Sequence, residues 1–163
     1  MRQILRSLRN STDYWTGWVS AGPHRAWLKH LADATGYAPE AIAVAAGVST
    51  AVGRGLAGKG RHSIRIRARD ASGLLALDAD SLRWRGARLT DASPAHKALR
   101  ELGDLCPDAA QLSALLGISR HTARGMIDGR LRLCRRWVLW HCIALTQDIM
   151  RTRALATPGE LVA

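Results

Sequence analysis

The side chains able to do chemistry in this 163-residue chain are mostly guanidinium groups. It carries 24 Lys+Arg, of which only Lys29, Lys59 and Lys97 are lysine, against 13 Asp+Glu, a formal net charge of +11. Arginine offers a planar fork of donors that suits phosphate oxygens and base edges, although arginine-rich composition also follows from a GC-rich coding sequence. Groups for covalent or acid–base catalysis are not arranged for it. The carboxylates are scattered singly, and no Gly-rich phosphate loop followed by Lys-Ser/Thr, GxSxG elbow or Cys-His pair is present, so the chain reads as a non-enzyme without a cofactor. His30, His96 and His141 read as polar surface or core-edge residues. Cys134, His141 and Cys142 do not read as a metal site, because adjacent residues on a helix diverge by about 100° and cannot easily share one tetrahedral ion. Cys106, Cys134 and Cys142 are odd in number, form no CxxC pair and lie among apolar residues, as expected of buried small hydrophobes in a reducing compartment.

The surplus positive charge must sit on a folded surface, because 47% of the residues are hydrophobic and the length suits one ordinary domain or two small ones. No run approaches the ~18 apolar residues of a membrane span, and the opening Met1–Asn10 segment has charges where a signal peptide is uninterrupted and apolar. A cytoplasmic, membrane-free protein is expected.

The elements that would position the arginines emerge when the chain is laid on itself at an offset of 70 residues. Gly47-Val48-Ser49-Thr50-Ala51-Val52-Gly53-Arg54-Gly55-Leu56 then lies over Gly117-Ile118-Ser119-Arg120-His121-Thr122-Ala123-Arg124-Gly125-Met126. Gly, Ser, Arg and Gly are identical, two further positions stay apolar, and Ile42 and Ala46 fall over Leu112 and Leu116. Such a period indicates a duplicated supersecondary unit. Trp27, Leu28, Leu31 and Ala34 recur at helical spacing after Gly22-Pro23, and that helix should stop near Gly36. A second helix opens at Pro39 and halts at Gly47, and Ser49 is placed to cap a third. In the second copy Leu99 and Leu102 mark the first helix, Asp108 with Gln111 resembles a capping box for the second, and Ser119 caps the third.

Ile64, Ile66 and Ala68 alternate with Arg65, Arg67 and Arg69, yet Ala71, Leu74, Leu75 and Leu77 follow at helical spacing, so a basic loop entering a helix is expected. The expected organisation is an N-terminal helical arm over 1–22, a first unit over 23–78, a connector over 79–94 packed partly through Trp84, a second unit over 95–150 and a tail over 151–163. Ile4, Leu5 and Leu8, then Tyr14, Trp15 and Trp18, are expected on short amphipathic helices of the arm. Residues 131–150 form the longest helical candidate, apolar on more than one face and thus central to the second unit or shared in a homodimer. The fold class is all-α.

A helix, a sharp glycine turn and a second capped helix resemble the tandem helix-turn-helix DNA-binding transcriptional regulators of bacteria and their phages. The small residue four positions before the turn glycine is matched by Ala43 and Ser113, and the apolar-Ser pair after it by Val48-Ser49 and Ile118-Ser119. Six residues after the turn glycine the family usually has Val or Ile, whereas this chain has Gly53 and Ala123. Gly53, Gly55 and Gly125 each weaken a helix by ~1 kcal/mol relative to Ala. The resemblance implies that the helix opening at Ser49 or Ser119 enters the major groove of double-stranded DNA.

With Val52 and Leu56 facing the first core, Thr50, Ala51 and Arg54 point outward. With Ala123, Met126 and Ile127 facing the second, Arg120, His121 and Arg124 do. The candidate base-reading residues are therefore Ser49, Thr50, Ala51 and Arg54, and Ser119, Arg120, His121, Thr122 and Arg124, the second set being the richer. Between Glu40 and Asp70 lie Arg54, Lys59, Arg61, Arg65, Arg67 and Arg69 without an acid, and Arg120 and Arg124 lie likewise between Asp108 and Asp128. Lys59, Arg61, Arg65, Arg67, Arg69 and Arg130 are the candidate phosphate contacts, giving an affinity that falls with salt. Trp27, Trp137 and Trp140 are expected in the core. Two alternatives remain at this point. One is an adaptor binding RNA polymerase or another regulator through Trp15, Trp18, Trp137 or Trp140, and the other is a structural protein holding nucleic acid by charge alone.

Overall fold

The protein is described by a computed structural model over residues 17–58 and 65–156. Two compact units divide between Arg83 and Trp84, and each runs strand, helix, helix, helix, strand, helix. In the first these are β1 (Trp18–Ser20), α1 (Ala21–Thr35), α2 (Pro39–Ala45), α3 (Thr50–Leu56), β2 (Arg65–Arg67) and α4 (Ala68–Leu75). Helix α5 (Ala79–Ala87) follows. The second unit has β3 (Leu89–Asp91), α6 (Ser93–Glu101), a single 3-10 turn (Gly103–Leu105), α7 (Ala109–Leu116), α8 (Arg120–Ile127), β4 (Leu133–Arg135) and α9 (Arg136–Ala156). The described chain is mostly helical, as expected, with two small antiparallel ribbons that the sequence reading omitted.

The helix boundaries follow local chemistry. Pro39 opens α2, and α1 ends at Gly36. Gly47 and Gly117 adopt left-handed φ angles of 71° and 63° in the turns after α2 and α7, a conformation in which a side chain would be strained. Asp108 forms the complete capping box: its carboxylate accepts from the backbone N–H of Ala110 and Gln111, while the Gln111 side chain accepts from the Asp108 N–H. Ser119 caps α8 by accepting from the Thr122 N–H at 3.1 Å. Ser49 holds the same place before α3 but makes no side-chain capping bond, unlike the expectation.

The alternation Arg65-Ile66-Arg67 forms a strand, correcting the expected loop. Its period of two buries Ile66 opposite Val19 of β1 and exposes both arginines. The same pairing recurs between β3 and β4, with Thr90 opposite Cys134. One equivalent hydrogen bond extends each ribbon: Ala68 N–H donates to the Gly17 carbonyl at 3.0 Å, and Arg136 N–H to the Arg88 carbonyl at 2.9 Å. Trp18 therefore lies on a strand rather than on a helix of the arm, and residues 1–16 lie outside the described residues. The stretch 79–94 expected as a connector contains the division between the two units and is largely helix and strand. Trp84 within it is 64% exposed under the Arg88 guanidinium, not packed inside.

The second core joins Leu99, Leu102, Leu112, Met126, Val138 and Cys142, all nearly inaccessible. Full burial of each such apolar side chain contributes about 1.5–3 kcal/mol, and this clamps α6, α7, α8 and α9 together. The long C-terminal helix begins at Arg136, because 133–135 are drawn into the ribbon, and runs to Ala156. In the first unit Leu28, Leu31, Ile42, Leu56 and Leu74 are the corresponding buried residues. The Trp27 indole N–H donates to the Leu74 carbonyl at 3.2 Å, pinning α1 to α4. Trp140 is buried and Trp137 half-buried, as core positions require.

Among the described residues no helix is long and apolar enough to cross a membrane.

Candidate nucleic-acid interface

In the second unit the residues singled out on α8 converge. Arg120, His121 and Arg124 are exposed and line an open cleft of about 540 Å³, whose opposite wall is Asp108, Ala109 and Ala110 at the start of α7. Helical spacing explains the grouping, because Ala123 and Met126 face the core and the intervening positions must face out. Asp108 is the acid in this cleft, and its charge is committed to the helix. Hydrogen bonds from the N–H groups of Gln111 and Ala110 hold its carboxyl below the usual range, with Arg120 adding to the effect. The two arginines and the histidine are exposed on the cleft.

Ser119 and Thr122 have a different place. Their hydroxyl oxygens lie 2.8 Å apart, and Ser119 also takes the Thr122 N–H, so both build the start of α8 rather than project from it. Ser113 donates its hydroxyl to the Ile118 carbonyl at 2.6 Å, bracing the turn between α7 and α8.

The first unit diverges. Ser49 and Ala51 are exposed and Arg54 half-buried, but Thr50 is buried, 9% accessible, which corrects its assignment to the outer face. The cause is Gly53. A β-carbon there would stand 2.8 Å from the Ala43 β-carbon and 3.0 Å from the Pro39 carbonyl oxygen, so α3 lies directly on α2. The buried residues of α3 are Thr50, Gly53, Gly55 and Leu56, while Val52, the expected core residue, is only half-buried. On the surface left on α3, Arg54 is the side chain that carries hydrogen-bond donors.

The expected phosphate contacts divide as well. Arg65 and Arg67 project from β2 on the outer face of the first ribbon. Arg69 is exposed on α4 and lies 3.4 Å from Asp70. Arg130 is exposed but ion-paired with Asp128, whose opposite charge offsets its own at any distance well beyond the pair. Lys59 and Arg61 lie outside the described residues.

A feature that sequence reasoning missed is Trp18 beside Arg67. The two are direct cross-strand neighbours, and the guanidinium carbon stands 5.9 Å from the indole centroid. Only the strand pairing brings them together; alternation in Arg65-Ile66-Arg67 was the available signal. The three thiols are pushed upward by burial, Cys142 to about 12; Cys134 and Cys142 are buried and Cys106 half-buried. Among the described residues no three of His, Cys, Asp and Glu are grouped to hold a metal ion. No family model matches the chain, and neither a curated protein nor a solved structure does.

Proposed function

We propose that the protein is a sequence-specific double-stranded DNA-binding regulator of transcription, in which α2–α3 and α7–α8 act as two helix-turn-helix units and the second does most of the base reading. Regulation of a phage, prophage or phage-derived gene cluster follows from the resemblance of the two turns to phage regulators. The observation that carries this reading is the outer face of α8: Arg120, His121 and Arg124 exposed together along one cleft. An arginine there can bond the O6 and N7 of guanine in the major groove, and such a pair contributes about 1–3 kcal/mol of discrimination against the wrong base. The first unit, with Thr50 turned inward and Ala51 outward, contributes apolar contact and orientation rather than base reading. Charge without acids on β2 supplies nonspecific affinity through counterion release.

Selection of bound DNA from a random duplex pool tests the proposal. The winner and a scrambled control are then measured at two salt concentrations. A recovered motif that outbinds the control by ~10³ at the higher salt supports specific regulation. Binding of all sequences alike, vanishing as salt rises, overturns it and leaves a charge-held structural protein or an adaptor. Of the contacts proposed for the adaptor reading, Trp140 is buried, Trp137 half-buried and Trp18 exposed.

A further inference from the structure

The outer face of the first ribbon carries four side chains, in two cross-strand pairs: Trp18 with Arg67 and Ser20 with Arg65. Val19 and Ile66 occupy the inner face and are buried, so the outer four are not needed to seal the core. Trp18 is 47% exposed, with the Arg67 guanidinium over its indole ring. Arg65 is tied to the same strand, its Nη2 donating to the Trp18 carbonyl at 3.3 Å. An internal control is present in the same molecule. The second ribbon has the same backbone pairing but places Leu89 opposite Arg135 and Asp91 opposite Leu133 on its outer face, one cation and one anion. The fold therefore tolerates a neutral ribbon, and neither an indole nor two unopposed guanidinium groups is required to form it. Two arginines on one strand face repel each other, and the repulsion is relieved by an anion brought between them.

We propose that this face is a binding site for single-stranded DNA, in which an unpaired base stacks on the layer formed by Trp18 and Arg67 while Arg65 neutralises the adjoining phosphate. An aromatic ring flanked by arginine is the chemistry that takes a nucleobase without regard to its sequence, since every base has a π-face. Bases already stacked inside a duplex are not accessible to Trp18, so its stacking contact distinguishes opened strands from paired ones, whereas Arg65 and Arg67 meet phosphate in either. The inference rests on the proposed function only in naming DNA rather than RNA as the polymer.

The test uses the full chain with three fluorescent probes of equal length, oligothymidine, oligouridine and a mixed duplex, followed by anisotropy at physiological salt. Trp18→Ala is expected to weaken oligothymidine binding about tenfold, Trp18→Phe to restore most of it, and both to leave duplex affinity within about twofold. Trp18→Leu copies the residue at the same place of the second ribbon, and it carries the test if the alanine variant does not fold. Leu89→Ala leaves all three affinities unchanged. A loss of less than about twofold on oligothymidine, or an equal loss on duplex, overturns the site. Tighter, Trp18-dependent binding of oligouridine overturns its assignment to DNA. Oligothymidine binding that depends on Trp18 without any duplex motif supports this site while failing the regulator reading.

Discussion

Gly53 on α3 rests against Ala43 on α2 so closely that a β-carbon added to it would lie 2.8 Å from that of Ala43. At the matching place in the second unit stands Ala123, fully buried. Two copies of one helix pair thus differ at this position, where one has no side chain and the other a buried methyl group.

The contact sets a contrast between two glycine substitutions. Gly53→Ala gains ~1 kcal/mol of helix propensity but forces a methyl group onto backbone and Ala43, a cost of about 1–3 kcal/mol, so a net loss of stability is expected. Gly125→Ala meets only Leu131, at 3.7 Å, and gains up to ~1 kcal/mol. Urea melts of both variants check this, and a stabilised Gly53→Ala would mean that α3 can move away from α2 at little cost.

The caps give a second contrast. Asp108→Ala and Ser119→Ala each remove bonds to otherwise unsatisfied backbone N–H groups and are expected to cost about 1 kcal/mol. Ser49→Ala, which removes no capping bond, should cost only a few tenths. Equal losses at Ser49 and Ser119 would contradict the difference in cap geometry.

Acid sensitivity is expected from two buried histidines. Burial lowers the pKa of His24 below its ordinary 6.5, partly opposed by the hydrogen bond with the Ser20 carbonyl; burial also lowers His96, with the Arg100 charge adding to it. Because the folded state then binds fewer protons than the unfolded one, this stability is full above pH 6.5 and is lost as pH falls through the lowered values. Denaturant midpoints at pH values of about 7.5 and 5.5 should therefore drop on acidification, and by less in His24→Gln. An unchanged midpoint would show that neither histidine is held neutral by the fold.

On DNA, arginines at different places should fail differently. Arg120→Ala or Arg124→Ala is expected to relax discrimination at individual base positions, costing about 1–3 kcal/mol on the preferred duplex. Arg65→Ala and Arg67→Ala should weaken all duplexes alike and lower the salt slope by about 1 each. Competition binding against single-base variants of the selected site separates the two, and uniform loss on Arg120→Ala would remove α8 as the reader.

The sequence by itself determined what depends on neighbours along the chain. The duplication, the turns at Gly47 and Gly117, the start at Pro39, the Asp108–Gln111 box and the outward face of α8 all follow from residues within a turn or two of one another. Tertiary structure decided what depends on distant approach. The ribbons pair three residues with three others across most of a unit, and the alternation at Arg65-Ile66-Arg67 does not name its partner strand, so Trp18 and Arg67 met only on folding. Thr50 turned inward because Gly53 has no side chain to hold α3 off α2, and a missing side chain leaves no apolar mark in a sequence. Trp84 was left exposed on a helical segment whose apolar spacing was too weak to place it. Local hydrogen-bonding rules are written residue by residue, whereas the distance between two helices is set by the smallest side chains between them.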